Sequence, residues 1–249
     1  MDAQRRRALA PKTKRRLELA TGAGVCAASA FMAWAVHGRS SEVFGRSVWR
    51  GPRTRRALAL TFDDGPSETT PQILDLLARY NVAATFFQCG NNVERLPEVA
   101  RAVRQAGHEI GNHSHSHSIL SLRPRRFIEQ ELWLAQEVIE ERTGARPVWF
   151  RAPYGVRWFG IGHVLERLRL TGVMWTVIGY DWKRKAGAVV ERVAGAVSNG
   201  AIVCLHDGRE LHVKPDIAVT LEAVRRLVPL LLDQGYKFET VSRLICPNN

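Results

Sequence analysis

Two clusters in the chain carry side chains suited to metal-assisted hydrolysis. The first is Thr61-Phe62-Asp63-Asp64-Gly65-Pro66. Adjacent carboxylates repel unless one meets a cation or the two face apart, and Gly65-Pro66 turns the chain directly after them. An Asp-rich solvated turn is the plainer reading of that cluster alone. The second is Gly111-Asn112-His113-Ser114-His115-Ser116-His117. Residues four apart meet on one face of a helical turn, so His113 and His117 are expected to offer two imidazoles to one ion, with His115 directed elsewhere. A polar loop is the alternative, but three histidines within five residues after an apolar run favour ligation. Imidazole and carboxylate together suit zinc, cobalt, nickel or manganese. Two His and one Asp leave open coordination positions, where a water of lowered pKa can attack while a second carboxylate takes its proton. Either Asp63 or Asp64 can be the ligand and the other the base.

These residues need a scaffold that brings distant segments together. Short apolar runs at Ala57–Phe62, Ala83–Phe87, Glu109–Gly111, Val148–Arg151, Gly172–Thr176, Ala201–Leu205 and Lys237–Val241 read as strands. Helical patterns lie between them near residues 70–80, 95–106, 124–142, 160–169, 187–198 and 216–234. Such alternation implies a parallel sheet. Asp63-Asp64, His113, His117, Arg151, Asp181 and His206-Asp207 all fall at or just after strand ends, which share one edge of such a sheet. A closed sheet gathers them around one mouth more readily than an open one. The expected fold is α/β: a (β/α) barrel with fewer than eight units, about seven by this count, preceded by an N-terminal apolar helix.

Five segments, in order, resemble the polysaccharide deacetylase family, carbohydrate esterase family four. They are the Asp63-Asp64 and His113–His117 clusters, Phe150-Arg151-Ala152-Pro153-Tyr154-Gly155, Asp181-Trp182 and Leu205-His206-Asp207. The resemblance runs from about Ala57 to Leu244. It implies Asp63 as general base, oriented by Arg151, and Asp64, His113 and His117 as ligands of one divalent ion, zinc first among the candidates. It further implies His206 as general acid tuned by Asp181, Tyr154 as a backbone N–H donor to the oxyanion, and Trp182 as a wall for the acetyl methyl. The implied reaction is removal of N-acetyl groups from an N-acetylglucosamine-containing polysaccharide, peptidoglycan or chitin-like, by attack of metal-bound water. An O-acetyl esterase acting on xylan-type polymer, or an inactive cell-wall-binding member, are the alternatives. Where the family typically has Leu, two residues before the catalytic His, this chain has Cys204. Cys204 and Leu205 are both candidate substrate-slot residues. Strand alternation puts Cys204 on the face of His206 and turns Leu205 away. Trp149 and Trp158 are candidates to stack on sugar, Trp133 to pack in the core, and His108 to be structural; His163 and His212 read as incidental.

The chain has 249 residues and a formal net charge of +12. Of its 36 basic and 24 acidic residues, 13 and 3 lie in residues 1–57, so the near-neutral remainder does not suggest a nucleic-acid partner. Residues 1–36 read as a basic tail, with Arg5-Arg6-Arg7 and Lys12 to Arg16, followed by an uncharged run from Leu19 to Val36. That pattern fits a signal anchor or a signal peptide with a possible cleavage site at Ala33-Trp34-Ala35. The expected location is therefore membrane-anchored or secreted, with the catalytic domain outside the cytoplasm and the membrane as a partner. Residues 37–56, rich in Gly, Ser and Arg, read as a basic linker, and 57–249 as the catalytic domain. Cys26, Cys89, Cys204 and Cys246 are scattered and suggest no disulfide framework.

Overall fold

The computed structural model describes residues 11–247. Arg5–Arg7 of the expected basic tail lie outside the described residues. The chain order is α1 (Pro11–His37), β1 (Ser47–Val48), β2 (Ala57–Gly65), α2 (Thr70–Arg79), β3 (Thr85–Gln88), α3 (Gly90–Arg95), α4 (Pro97–Gln105), β4 (Glu109–Asn112), α5 (Arg125–Thr143) and β5 (Trp149–Phe150). A 3₁₀ turn at Pro153–Gly155 follows, then α6 (Ile161–Leu168), β6 (Thr171–Val173), β7 (Val177–Ile178), α7 (Ala186–Ala196), β8 (Ala201–His206), α8 (Ala218–Asp233), β9 (Lys237–Phe238) and α9 (Val241–Ile245).

The named strands pair in parallel in the order β1-β6-β5-β4-β3-β2-β8-β7, with β9 joining β2. The path runs from β6 on one side to β7 on the other, and only residues 174–176 separate these two in sequence. One kinked stretch of chain therefore closes the curl, and the sheet is a distorted barrel. The expected strand at residues 172–176 is in fact this two-part segment. Its break at Met174–Thr176 lets it pair with β5 at one end and with β8 at the other.

Alternation along the strands explains both the core and the aim of the candidate site side chains. On β2, Leu58, Leu60 and Phe62 pack outward with residues of α2, α7 and α8, while Ala57 and Ala59 join Phe87, Val173 and Ile202 inside the curl. The small alanines leave room in the interior. Continuing the same face leads to Thr61 and then Asp63. On β8, Val203 and Leu205 belong to the outer, helix-covered cluster and Ile202 to the interior one. Cys204 and His206 therefore face inward, and Leu205 does not reach a substrate slot. Its position between sheet and helices, fully buried, corrects its place among the substrate-binding candidates.

Residues 38–56 are not a free linker. Phe44 is buried among Leu120, Phe150, Ile161 and Leu165, β1 pairs with β6, and Arg157 donates to the backbone carbonyls of Gly38 and Ser41. The Gly, Ser and Arg content suggested a linker, but the apolar residues between them extend the sheet by a strand. Within α1, Leu19–His37 is 19 residues long with mean hydropathy 1.6, long and apolar enough to cross a membrane. Its last turn packs on the domain through Ala35 and Val36.

A packing assignment for Leu205 has a direct consequence. Leu205→Ala is expected to lower stability by roughly 2–5 kcal/mol in urea unfolding, the usual range for a buried Leu, with KM of the folded protein unchanged. A raised KM at unchanged stability would return Leu205 to the slot.

Candidate active site

The functional side chains meet at the carboxyl end of the sheet, around a cavity of about 570 Å³. Asp63 and Asp64 lie within β2, where the pairing register with β3 shifts between Asp63 and Gly65. Asp64 has φ 72°, in the left-handed region, so neighbouring carboxylates diverge instead of alternating across the strand. Asp63 turns to Arg151 and Asp64 to the histidines.

Asp64 Oδ1 lies 3.3 Å from His113 Nε2 and 3.0 Å from His117 Nε2. All three residues are buried. The imidazoles do not meet on a helical turn, as their spacing suggested. Residues 113–117 form a loop in which Ser114 (φ 63°) and His117 (φ 53°) adopt left-handed backbone. Asn112 holds that loop: its Oδ1 accepts from Ser114 N–H at 2.9 Å, and its amide donates to the Leu132 carbonyl. His115 lies apart from the triad, near Gly90.

The donor set fits a divalent ion. The Arg151 carbonyl, 2.7 Å from His113 Nδ1, can only accept, so Nδ1 carries a proton and Nε2 is the ring atom that faces Asp64. His117 Nδ1 is buried without a partner among the described residues. Burial alone would raise the Asp64 carboxyl, but the facing histidines hold it well below the ordinary value. Its Oδ2 accepts the Glu210 N–H at 3.0 Å, leaving Oδ1 for the shared position. One carboxylate oxygen and two imidazole nitrogens within 4.8 Å of one another match a three-ligand catalytic site.

Beside this triad, Asp63 Oδ1 accepts from Arg151 Nη1 at 2.7 Å. The guanidinium is fully buried. It also donates to Thr61 Oγ1 at 2.6 Å and to the Val173 and Met174 carbonyls, and it lies 4.1 Å over the Phe87 ring. With its donors satisfied on several sides, Arg151 is a fixed positive charge against one oxygen of Asp63. Cys204 Sγ approaches the other, Oδ2, at 3.3 Å. Cys204 is buried beneath Asp63 and does not line the open cavity.

His206 Nδ1–H donates to Asp181 Oδ1 at 2.9 Å. Asp181 Oδ2 accepts the His206 N–H at 3.0 Å and the Thr220 hydroxyl at 2.6 Å. Burial disfavours a charged His206, but the charge of Asp181 and its hydrogen bond outweigh that and push the pKa up to about 9, with smaller help from Asp64 and Asp63. A cation on Asp64 would trim the Asp64 share. Trp182 meets the His206 ring edge-on at 4.8 Å, and Tyr154 meets His117 likewise at 4.8 Å. Tyr154 (φ 59°) occupies the left-handed region in the Pro153–Gly155 turn, and its hydroxyl donates to Glu210 Oε1 at 2.8 Å. Both aromatic residues line the cavity, with Trp175, Ile178 and Tyr180.

Sequence reasoning missed Asn92, Glu210 and His212. The Asn92 amide donates to the carbonyls of Asp64 and Glu210, both at 2.8 Å, and so ties β2 to the loop after β8. His212, read as incidental, lines the cavity. Nothing local in the sequence marks Asn92 or Glu210, because their side-chain partners are more than 25 positions away. Trp149 is buried against Glu109 and Ser242, and Trp158 packs with Phe44, so neither lines the cavity. Trp133 is 47% exposed, not in the core. His108 is structural: Nδ1 accepts the Ala84 N–H, and burial lowers its pKa to about 4.

The polysaccharide deacetylase family profile matches residues 50–173. A peptidoglycan-N-acetylglucosamine deacetylase of Bacillus cereus is 34% identical over 208 residues, covering 82% of this chain and 95% of the relative. The chain belongs to the polysaccharide deacetylase family. A peptidoglycan-N-acetylglucosamine deacetylase of Listeria monocytogenes is 35% identical over 77% of this chain, but the match spans only 39% of that relative's length. Among solved structures, a family-four carbohydrate esterase pseudoenzyme from Bacillus anthracis superposes with a TM-score of 0.73 at 28% identity, covering 80% of this chain and 68% of that one.

The Asp181–His206 pair sets a testable pH dependence. If protonated His206 donates a proton in turnover, activity is present below its pKa and is lost as pH rises through it. Asp181→Asn removes the main raising influence. The alkaline limb of kcat/KM is therefore expected to move to lower pH, read from a pH–rate profile. An unmoved limb would separate His206 from that role.

Proposed function

We propose that this protein is a metal-dependent deacetylase that removes N-acetyl groups from an N-acetylglucosamine-containing cell-wall polysaccharide, peptidoglycan or a chitin-like polymer. The observation that carries this reading is the placement of a carboxylate held by Arg151 and an imidazole held by Asp181 beside one Asp–His–His triad. Asp63 and His206 are register partners on adjacent strands, at the same depth of the cavity.

Asp64, His113 and His117 would hold the ion. When bound, it would acidify a water and polarise the amide carbonyl. Asp63, held at Oδ1 by the fixed guanidinium of Arg151, takes the proton of the attacking water on Oδ2. The backbone N–H of Tyr154 supports the negative charge that develops on the carbonyl oxygen. His206, protonated at neutral pH, gives its Nε2 proton to the departing nitrogen, and Asp181 keeps the ring oriented while that proton leaves. The products are acetate and a free amine. Trp182 offers an apolar wall to the acetyl methyl, and the aromatic lining suits the faces of sugar rings. The named deacetylase relatives, together with an apolar N-terminal helix, support a domain held outside the cytoplasm by that helix or released after its cleavage. The mass of the mature protein distinguishes the two.

Two substitutions separate binding from turnover. Asp63→Asn is expected to retain one metal equivalent and lose acetate release by about two orders of magnitude or more, a typical loss for a missing general base. His113→Ala is expected to lose both. Acetate release from N-acetylglucosamine oligomers, peptidoglycan and acetylated xylan, with and without added zinc or cobalt, is the assay. Release from xylan alone would make the protein an O-acetyl esterase, and no release from any polymer would make it a binding member.

A further inference from the structure

Cys204 stands where a hydrocarbon side chain would serve packing equally well, and its sulfur points at the catalytic pair. We propose that Asp63, Cys204 and His206 form a second cation position of zinc-preferring type, which excess ion fills and thereby blocks the site.

The three residues offer one oxygen, one sulfur and one nitrogen, all within 4.8 Å of one another. Each is already oriented. Asp63 Oδ1 is engaged by Arg151, leaving Oδ2, which is 3.3 Å from Cys204 Sγ. His206 is tied at Nδ1 to Asp181, so Nε2 is its remaining donor atom. A carboxylate behind the imidazole is the outer-shell arrangement that commonly accompanies zinc. Cys204 is fixed on the interior face of β8 by its buried neighbours. Thiolate, imidazole and carboxylate together select a borderline-soft ion, zinc or cobalt, over magnesium or calcium. A Leu at 204 would leave only two donors.

Filling this position releases two protons, one from the Cys204 thiol and one from Nε2 of His206, and changes no oxidation state. Both releases cost free energy. Burial, followed by the charge of Asp63, pushes the Cys204 thiol well above its ordinary pKa. The Arg151 guanidinium, 2.7 Å from Asp63, also repels an incoming cation. The position is therefore weaker than the Asp64 triad and fills after it. Once filled, the general base and the general acid are both ligands, and neither can move a proton. This consequence rests on the proposed deacetylase reading, whereas ion binding itself does not.

Cobalt titration into the metal-stripped full chain tests the site, with Cys26→Ser and Cys246→Ser in the background to remove the exposed thiols. The first equivalent should enter the sulfur-free triad without a thiolate-to-cobalt charge-transfer band, and the second should bring that band. Cys204→Ala should keep the first equivalent and lose the band. Cys204→Ser, closer in size, should do the same and guards against a folding defect. A second equivalent without the band, or the same band in either variant, overturns the proposal. In parallel, zinc beyond one equivalent should suppress acetate release by the Cys204 protein but not by the Ala variant, each relative to its own activity at one equivalent. The band without deacetylation under any condition would contradict the proposed function and leave the second position standing.

Discussion

An ionised carboxylate and two imidazole nitrogens, gathered out of water with their lone pairs facing one point, require positive charge between them. Packed together out of water, Asp64, His113 and His117 carry a desolvation cost that a shared cation would offset. Much of the surrounding structure serves to hold that unfavourable grouping. The Arg151 carbonyl fixes the His113 tautomer, and its guanidinium holds Asp63 away from Asp64. Asn92 and the Glu210 N–H tie the Asp64 backbone and side chain to the loop after β8. The left-handed backbone at Asp64, Ser114 and His117 is a local cost accepted for this convergence.

The barrel supplies the second requirement, which is depth. Small alanines at 57 and 59 leave room on the interior face of β2, and Thr61 and Asp63 continue that face, with Arg151 buried alongside. β8 runs next to β2 in register, and strand alternation brings Cys204 and His206 to the same interior. Asp63, His206 and the Asp64–His113–His117 triad are thus placed by two neighbouring strands and one loop. The helices cover the outer face and brace the site from behind, through Asn92 on α3, the Leu132 carbonyl on α5 and Thr220 on α8.

Strand–helix alternation made the parallel, curled sheet legible in the sequence, and the polar residues at strand ends made one shared mouth legible. What escaped was non-local. His113 and His117 converge through two left-handed residues in a loop, a geometry that their spacing alone does not encode. Residues 37–56 have the composition of a linker, but Phe44 packs with Phe150, Ile161 and Leu165, and Val48 pairs with Val173, all more than 100 positions away. Asn92 and Glu210 act through backbone groups and leave no local pattern. Leu205 is a slot candidate as part of the family-like Leu205-His206-Asp207 segment, but the two-residue period of β8, already legible in the sequence, puts it on the outer face.

The central claim is that three facing lone pairs mark one cation position. Diffraction from zinc-loaded crystals, with anomalous scattering recorded at the zinc edge, tests it directly. The account predicts a peak about 2.0–2.2 Å from an Asp64 carboxylate oxygen and from Nε2 of both His113 and His117. A metal bound elsewhere, or bound to His113 through Nδ1 with the Arg151 carbonyl contact broken, would contradict it.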